Sequence, residues 1–170
     1  IGLTNSGADN EISAVGDIGA LITSLITTDN IKIQIYQGDY TLSTTIIINN
    51  NNVKIEGVHR ENTKITSNIT NDNIIEIQNV LGGGASISNI TLLNFTISNT
   101  SYSNVGVIGI YCNGMRNCNI KDINIEQCYT AMKLDSRNFF NDIETLRTSF
   151  CYDTLILDGS GASYKPNQNT

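Results

Sequence analysis

The stretch "CNIKDINIEQCYTAMKLD", residues 118–135, is followed closely by "NDIETLRTSFCYDTLILD", residues 141–158. Both end in Leu-Asp, both place a Cys seven positions before that Asp, and both alternate apolar with polar residues in between. The offset is 23 positions. A unit that short cannot bury its own apolar face, so it must stack on its neighbours.

Laying earlier segments over this pair aligns Ile90, Ile120 and Ile143, then Leu93, Ile123 and Leu146. It also aligns Ile108, Met132 and Leu155, then Ile110, Leu134 and Leu157. The step is 23 for the last two units and 24 or 30 before them, with the excess in "NTSYSNVG". Each unit then holds two short strands, "NIxxxxI" and "xIxL", joined by a polar corner. Upstream, period-two alternation predicts strands at "IKIQIY" (31–36), "TTIIIN" (44–49), "NVKIEG" (52–57), "NIIEIQ" (73–78) and "ITLLNFTI" (90–97). "QGDY" and "NNNN" read as turns, because Asn and Gly tolerate the left-handed conformation. No separator has the Asn-Gly form of a tight hairpin. Short strands joined by corners, with insertions at one corner, describe a parallel β-solenoid whose units sit ~4.8 Å apart. A β-sandwich is the competing arrangement, and it leaves the four apolar columns and the paired Cys unexplained.

The first thirty residues differ. Ile12, Val15, Ile18, Leu21, Ile22, Leu25 and Ile26 fall three and four apart, on one helical face. Asn10 or Ser13 is the expected N-cap and Asp29-Asn30 the stop. The expected division is a segment 1–30 with this helix, coils over 31–159, and a polar tail at 160–170.

At 170 residues the chain suits one domain with a core. It begins at Ile1 rather than Met, which reads as a mature or excised segment. A net charge of −6 and a pI near 4.6 argue against nucleic acid as a partner. No apolar run approaches the ~18 residues of a membrane span, so membrane insertion is not expected. Asn-x-Ser/Thr sequences occur at Asn68, Asn89, Asn94 and Asn99. In so Asn- and Thr-rich a chain, chance accounts for them better than glycosylation does.

The run from Asp17 to Ile65 resembles the opening of pectate-lyase-superfamily proteins and phage tailspikes, where an amphipathic helix precedes a strand-turn and a Gly-containing coil. The matching positions are Tyr36, Gly38, Tyr40, Val53, Ile55, Gly57, Arg60, Thr63 and Ile65. "SNITLLNFTISN" and "GVIGIYCNGMRNCNIKDINIEQC" resemble later coils of the same fold. The resemblance implies an all-β, right-handed parallel β-helix with its helix capping the N-terminal end. It also implies an extracellular, cell-surface or virion location and a polysaccharide or cell-surface glycan as partner. It does not fix activity, since the superfamily includes lyases, hydrolases, virion spikes and non-catalytic adhesins. The end "GSGASYKPNQNT" has little apolar content; either it covers the last coil poorly or the solenoid continues elsewhere, as in a trimer or filament.

Chemistry on such a fold usually sits on outward residues of one sheet. The 23-residue step places Asp135 over Asp158, Lys121 over Glu144, and Asn124 over Arg147. Two stacked carboxylates ~5 Å apart match the spacing of a retaining glycosidase, and their repulsion would raise one pKa. Asp135 and Asp158 are therefore the catalytic candidates, although the stronger reading of an Asp at a strand end is that it satisfies turn backbone. Lys121, Glu144 and Arg147 are candidates for glycan contact, the first two also reading as a surface ion pair. Tyr111 and Tyr129, with Tyr102, could stack on sugar rings.

A lyase would need Ca²⁺, and Arg137 and Arg147 lie near Asp135, Asp142 and Glu144, but no spaced Asp motif appears. The family's hydrolase hallmarks, Gly-His-Gly and Arg-Ile-Lys, are absent. The only His, His59, falls in the turn "EGVHRENT". No resident metal or cofactor is expected. The four Cys allow three pairings, with Cys128 and Cys151 stacked and Cys112 and Cys118 flanking "NGMRN". Buried free thiols are the alternative. Two functions remain: a glycan-recognising surface module, with or without cleavage, and a non-catalytic spike, adhesin or filament module.

Overall fold

The computed structural model describes residues 2–5, 10–13, 17–78, 86–101, 103–135, 138 and 141–158, the first two stretches by backbone only. The chain opens with β1 (Gly2–Asn5), β2 (Asn10–Ser13) and α1 (Ile18–Leu25). Five coils follow. The first holds β3 (Lys32–Ile35), β4 (Gly38–Leu42) and β5 (Ile46–Ile48). The second holds β6 (Lys54–Gly57), β7 (Thr63–Ser67) and β8 (Asn73–Gln78). After β9 (Ile87–Ser88), the third holds β10 (Thr91–Leu93), β11 (Thr96–Asn99) and β12 (Ile108–Asn113). After β13 (Met115–Arg116), the fourth holds β14 (Asn119–Lys121), β15 (Asn124–Glu126) and β16 (Thr130–Leu134). The fifth holds β17 (Asp142–Glu144), β18 (Arg147–Ser149) and β19 (Asp153–Leu157).

Equivalent strands pair in parallel, coil on coil, giving three sheets that run through all five coils, with β9 and β13 pairing as a fourth, two-stranded one: a parallel β-helix. The first sheet continues past β3 into the antiparallel strands β1 and β2. Inward columns include Ile33–Ile55–Leu92–Ile120–Ile143 and Ile46–Ile75–Ile110–Met132–Leu155. Over the first four coils these columns are fully or almost fully buried, each side chain contributing about 1.5–3 kcal/mol.

Each coil has three strands rather than two. The "NIxxxxI" segment breaks at a corner residue in the left-handed conformation: Asn94, Asp122 and Thr145, at φ 59°, 51° and 54°. Coil length also differs from expectation. From Lys32 the first strand recurs at Lys54, Thr91, Asn119 and Asp142, steps of 22, 37, 28 and 23. The last step matches the sequence repeat. The earlier alignment slips by two, since Leu92 rather than Ile90 stands over Ile120, and Ile110 rather than Ile108 over Met132. Leu93 stands over Lys121, not Ile123, and Cys112 rather than Ile110 stands over Leu134. A slip of two keeps every side chain on its face, so alternation alone cannot detect it. The insertion does lie in "NTSYSNVG": the third and fourth coils are 28 apart in their second strands and 22 apart in their third.

The helix is shorter than its periodicity suggests. Ile12 lies in β2, and Asp17 is the N-cap, its Oδ1 accepting from Gly19 N at 2.9 Å. Val15 lies outside the described residues. The helix ends at Leu25, with Ile26 as its C-cap, before Asp29-Asn30. It lies against β4 and β5, so close that a Cβ on Gly19 would overlap the Thr44 carbonyl. Gly38 and Tyr40, read as turn, are instead the start of β4. At the far end Leu155, Leu157, Phe150 and Tyr152 of the fifth coil are exposed. The tail 160–170 lies outside the described residues.

Candidate functional site

The sequence candidates do not converge. Asp135, Asp158 and Tyr111 belong to the third sheet, Lys121 and Glu144 to the first, and Arg147 to the second. Tyr129 sits at the corner between the second and third sheets, its ring stacked on Tyr152 at 5.0 Å between centroids. Tyr102 and Arg137 lie outside the described residues.

Each pair does stack as the 23-residue step requires. Lys121 pairs with Glu144 and Asn124 with Arg147. Asp135 and Asp158 follow the rung Leu134–Leu157, with Asp158 N donating to Leu134 O at 2.8 Å. Lys121 Nζ lies 2.7 Å from Glu144 Oε2 on the open surface. That hydrogen bond raises the lysine pKa and lowers the glutamate's.

The third sheet gathers the most chemistry. One outward column runs Ile47–Glu76–Tyr111–Lys133–Ile156. Beside it run Gln78 and Asn113, followed coil by coil by Asp135 and Asp158. Diagonal contacts tie the two columns. Tyr111 Oη donates to Asp135 Oδ2 at 2.9 Å, and Lys133 Nζ lies 3.0 Å from Asp158 Oδ2. Both carboxylates are thus engaged by a donor from the neighbouring column. Burial pushes the Tyr111 hydroxyl well above its ordinary pKa, helped by its bond to Asp135 and by the charges of Asp135 and Glu76. Burial also raises the Glu76 carboxyl, helped by Asp72 and opposed by a hydrogen bond from Asn73.

Glu76 and Lys133 were not legible as site residues. Lys133 stands over Ile156, so the step of 23 offers it no charged partner, and its contact with Asp158 is diagonal. Chemically the belt offers a phenol, two amides, an ammonium and three carboxylates over four rungs, a hydrogen-bonding strip ~14 Å long.

The other candidates are structural by their contacts. His59 lies in the turn after β6, its Nδ1 accepting from Glu61 N at 3.3 Å. It lines a cavity of about 330 Å³ with Arg60 and Asp122, whose charged groups lie 3.5 Å apart. All four cysteines are free. Among the described residues no group of three His, Cys, Asp or Glu is placed to hold a metal ion. Of the four Asn-x-Ser/Thr asparagines, Asn99 is buried with its amide donating to Ile69 O, Asn94 is half-buried, and Asn68 and Asn89 are exposed.

No protein-family model, curated protein or solved structure matches this chain.

Proposed function

We propose that this β-helix is a surface or virion module that recognises polysaccharide along the outward face of its third sheet. The observation that carries the reading is the belt from Glu76 through Tyr111 and Lys133 to Asp135 and Asp158. A linear sugar chain suits a flat strip of alternating donors and acceptors at a fixed rung spacing. The resemblance of residues 17–65 to pectate-lyase-superfamily and tailspike openings supports the same reading and the extracellular setting it implies. Binding is favoured over hydrolysis because Asp135 and Asp158 each already accept from a neighbour.

The test is retention on a panel of bacterial capsular, O-antigen and plant polysaccharides, with and without Ca²⁺. New reducing ends and unsaturated-uronate absorbance are read in parallel. Retention by at least one polymer, lost in Tyr111→Ala, is the expected result. A second reading, a non-catalytic shaft or filament module, is favoured by the exposed Leu155 and Leu157 at the end of the fifth coil. Silence across the panel together with large assemblies in solution would replace the first reading with the second.

A further inference from the structure

The outward column of the third sheet does not stop at Glu76. One rung earlier it reaches Ile47, in register with Glu76. Ile47 also lines an open cleft of about 600 Å³, formed where the β4–β5 corner of the first coil meets the β7–β8 corner of the second. That volume lies within the ~300–1,000 Å³ of small-ligand sites. The cleft is the end of the belt, seen from the capped side of the solenoid.

Its lining has a consistent chemistry. Hydroxyls come from Thr44 and Thr70, amides from Asn68 and Asn71, an apolar floor from Ile47, and a single carboxylate from Asp72. No Lys, Arg or His lines it. Asn68, Thr70 and Asn71 are exposed, so their polar ends are available to a ligand. Asn71 is also held close to the third coil, where a Cβ on Gly106 would lie 2.7 Å from its Oδ1. The long insertion before β12 thus packs beside the cleft.

We infer that the glycan track runs on from the third-sheet belt into this cleft, and that the cleft takes sugar units without acidic groups. The inference rests on the polysaccharide reading above and adds an end point and a substrate class to it. An uncharged sugar offers hydroxyls to Asn68, Thr70 and Asn71 and a C–H face to Ile47. A uronate, sulfate or phosphate there would face Asp72 with no cation in the lining to offset the repulsion. Along the belt the balance is the same in sign, with Glu76, Asp135 and Asp158 against Lys133.

The test titrates fluorescently labelled neutral hexose oligosaccharides (gluco-, manno- and galacto-series, short and long) and oligogalacturonates of matched length. Wild type is compared with Thr70→Trp, which fills the cleft, Asn68→Ala, which removes one of its amides, and Tyr111→Ala, which alters the belt. Thr70 and Asn68 are surface positions outside the core, and an unchanged melting temperature certifies the fold. The expected result is binding of a long neutral series, weakened about tenfold or more by Thr70→Trp. Asn68→Ala weakens it in the same direction, and oligogalacturonates bind more weakly throughout. Neutral binding lost in Tyr111→Ala but untouched by both cleft variants would overturn the inference while leaving the belt reading intact. Oligogalacturonates binding as tightly as the neutral series would overturn the substrate class. Absence of binding in every series would overturn both.

Discussion

Asn89 donates its side-chain amide to Oδ1 of Asn52 across 2.8 Å, one coil apart. Asn52 does the same to Asn30 at 3.0 Å. All three hold the left-handed conformation, at φ 60°, 55° and 66°, and Asn117 continues the backbone pattern at 51°. The corner between the third and first sheets is therefore an asparagine ladder, with the side chain doing two things at once. It tolerates positive φ better than other non-Gly residues, and its amide bridges to the next coil.

Replacing Asn52 separates the two contributions. Asn52→Gly keeps the conformation and loses the ladder bonds, an expected cost of about 1 kcal/mol. Asn52→Ala adds the left-handed penalty, bringing the cost to about 2–3 kcal/mol. Denaturant unfolding of the two variants checks the order, and equal losses would mean that the conformation contributes nothing.

Asp17 stabilises the helix cap as a carboxylate. Partial burial opposes its charge, but hydrogen bonds from Thr44, from the Ser43 side chain and backbone, and from Gly19 outweigh that and lower its pKa below 3.8. A lowered folded-state value gives stability that is present above the unfolded pKa and lost as pH falls through the folded one. An asparagine caps the helix as well as an aspartate does. It gives up the charge-assisted hydrogen bonds from Ser43 and Thr44, so Asp17→Asn is expected to be less stable than wild type at neutral pH by about 1 kcal/mol. The gap should close in strong acid, and a gap independent of pH would contradict the assignment.

Glu76 has the opposite sign. Its folded-state pKa lies above 4.5, so its stabilising contribution is complete below the unfolded value and lost as pH rises through the folded one. Glu76→Gln should therefore melt at higher temperature than wild type at pH 7 and at the same temperature once both are measured well below pH 4.5. Equal stability at pH 7 would show that the partly buried carboxyl carries no penalty. A binding role for Glu76 is expected to show separately, as weaker glycan retention in the same, more stable variant.

Three of the four thiols, Cys112, Cys118 and Cys128, are expected to be inert in the folded protein. Burial pushes Cys118 up to about 11 and Cys128 up to about 12, the latter helped by Cys151, and raises Cys112 further still. Cys151, half-buried on the last coil, is raised as well and is the most accessible. Mass mapping after brief alkylation at pH 8 should label Cys151 first and the other three only after unfolding. Rapid labelling of Cys128 would contradict the depth assigned to it.

Much of the fold is legible in the chain because burial imposes period two on every strand, and because the last two coils lack insertions and repeat at 23. What the sequence hides follows from the same geometry. The third coil stands two residues off the sequence alignment, before and after the insertion alike, and a slip by an even number leaves the pattern of faces unchanged. Ile12 continues the helical spacing by coincidence, while β1 supplies the partner that makes it a strand. The Asn runs read as turns, yet that they form a bonded ladder depends on coils 22 and 37 residues apart. At the candidate site the step of 23 set Asp135 beside Asp158, but the bonding pairs were hidden: Tyr111 reaches Asp135 and Lys133 reaches Asp158 across columns whose own steps are 22 and 23.

The most direct measurement is a backbone amide chemical-shift map of the protein with and without the polysaccharide that retains it. The expected perturbations trace one strip of the third sheet, at Ile47, Glu76, Tyr111, Lys133, Asp135 and Asp158. Perturbations centred on Lys121 and Glu144 of the first sheet, or on Arg147 of the second, would contradict the placement of the binding surface on the third.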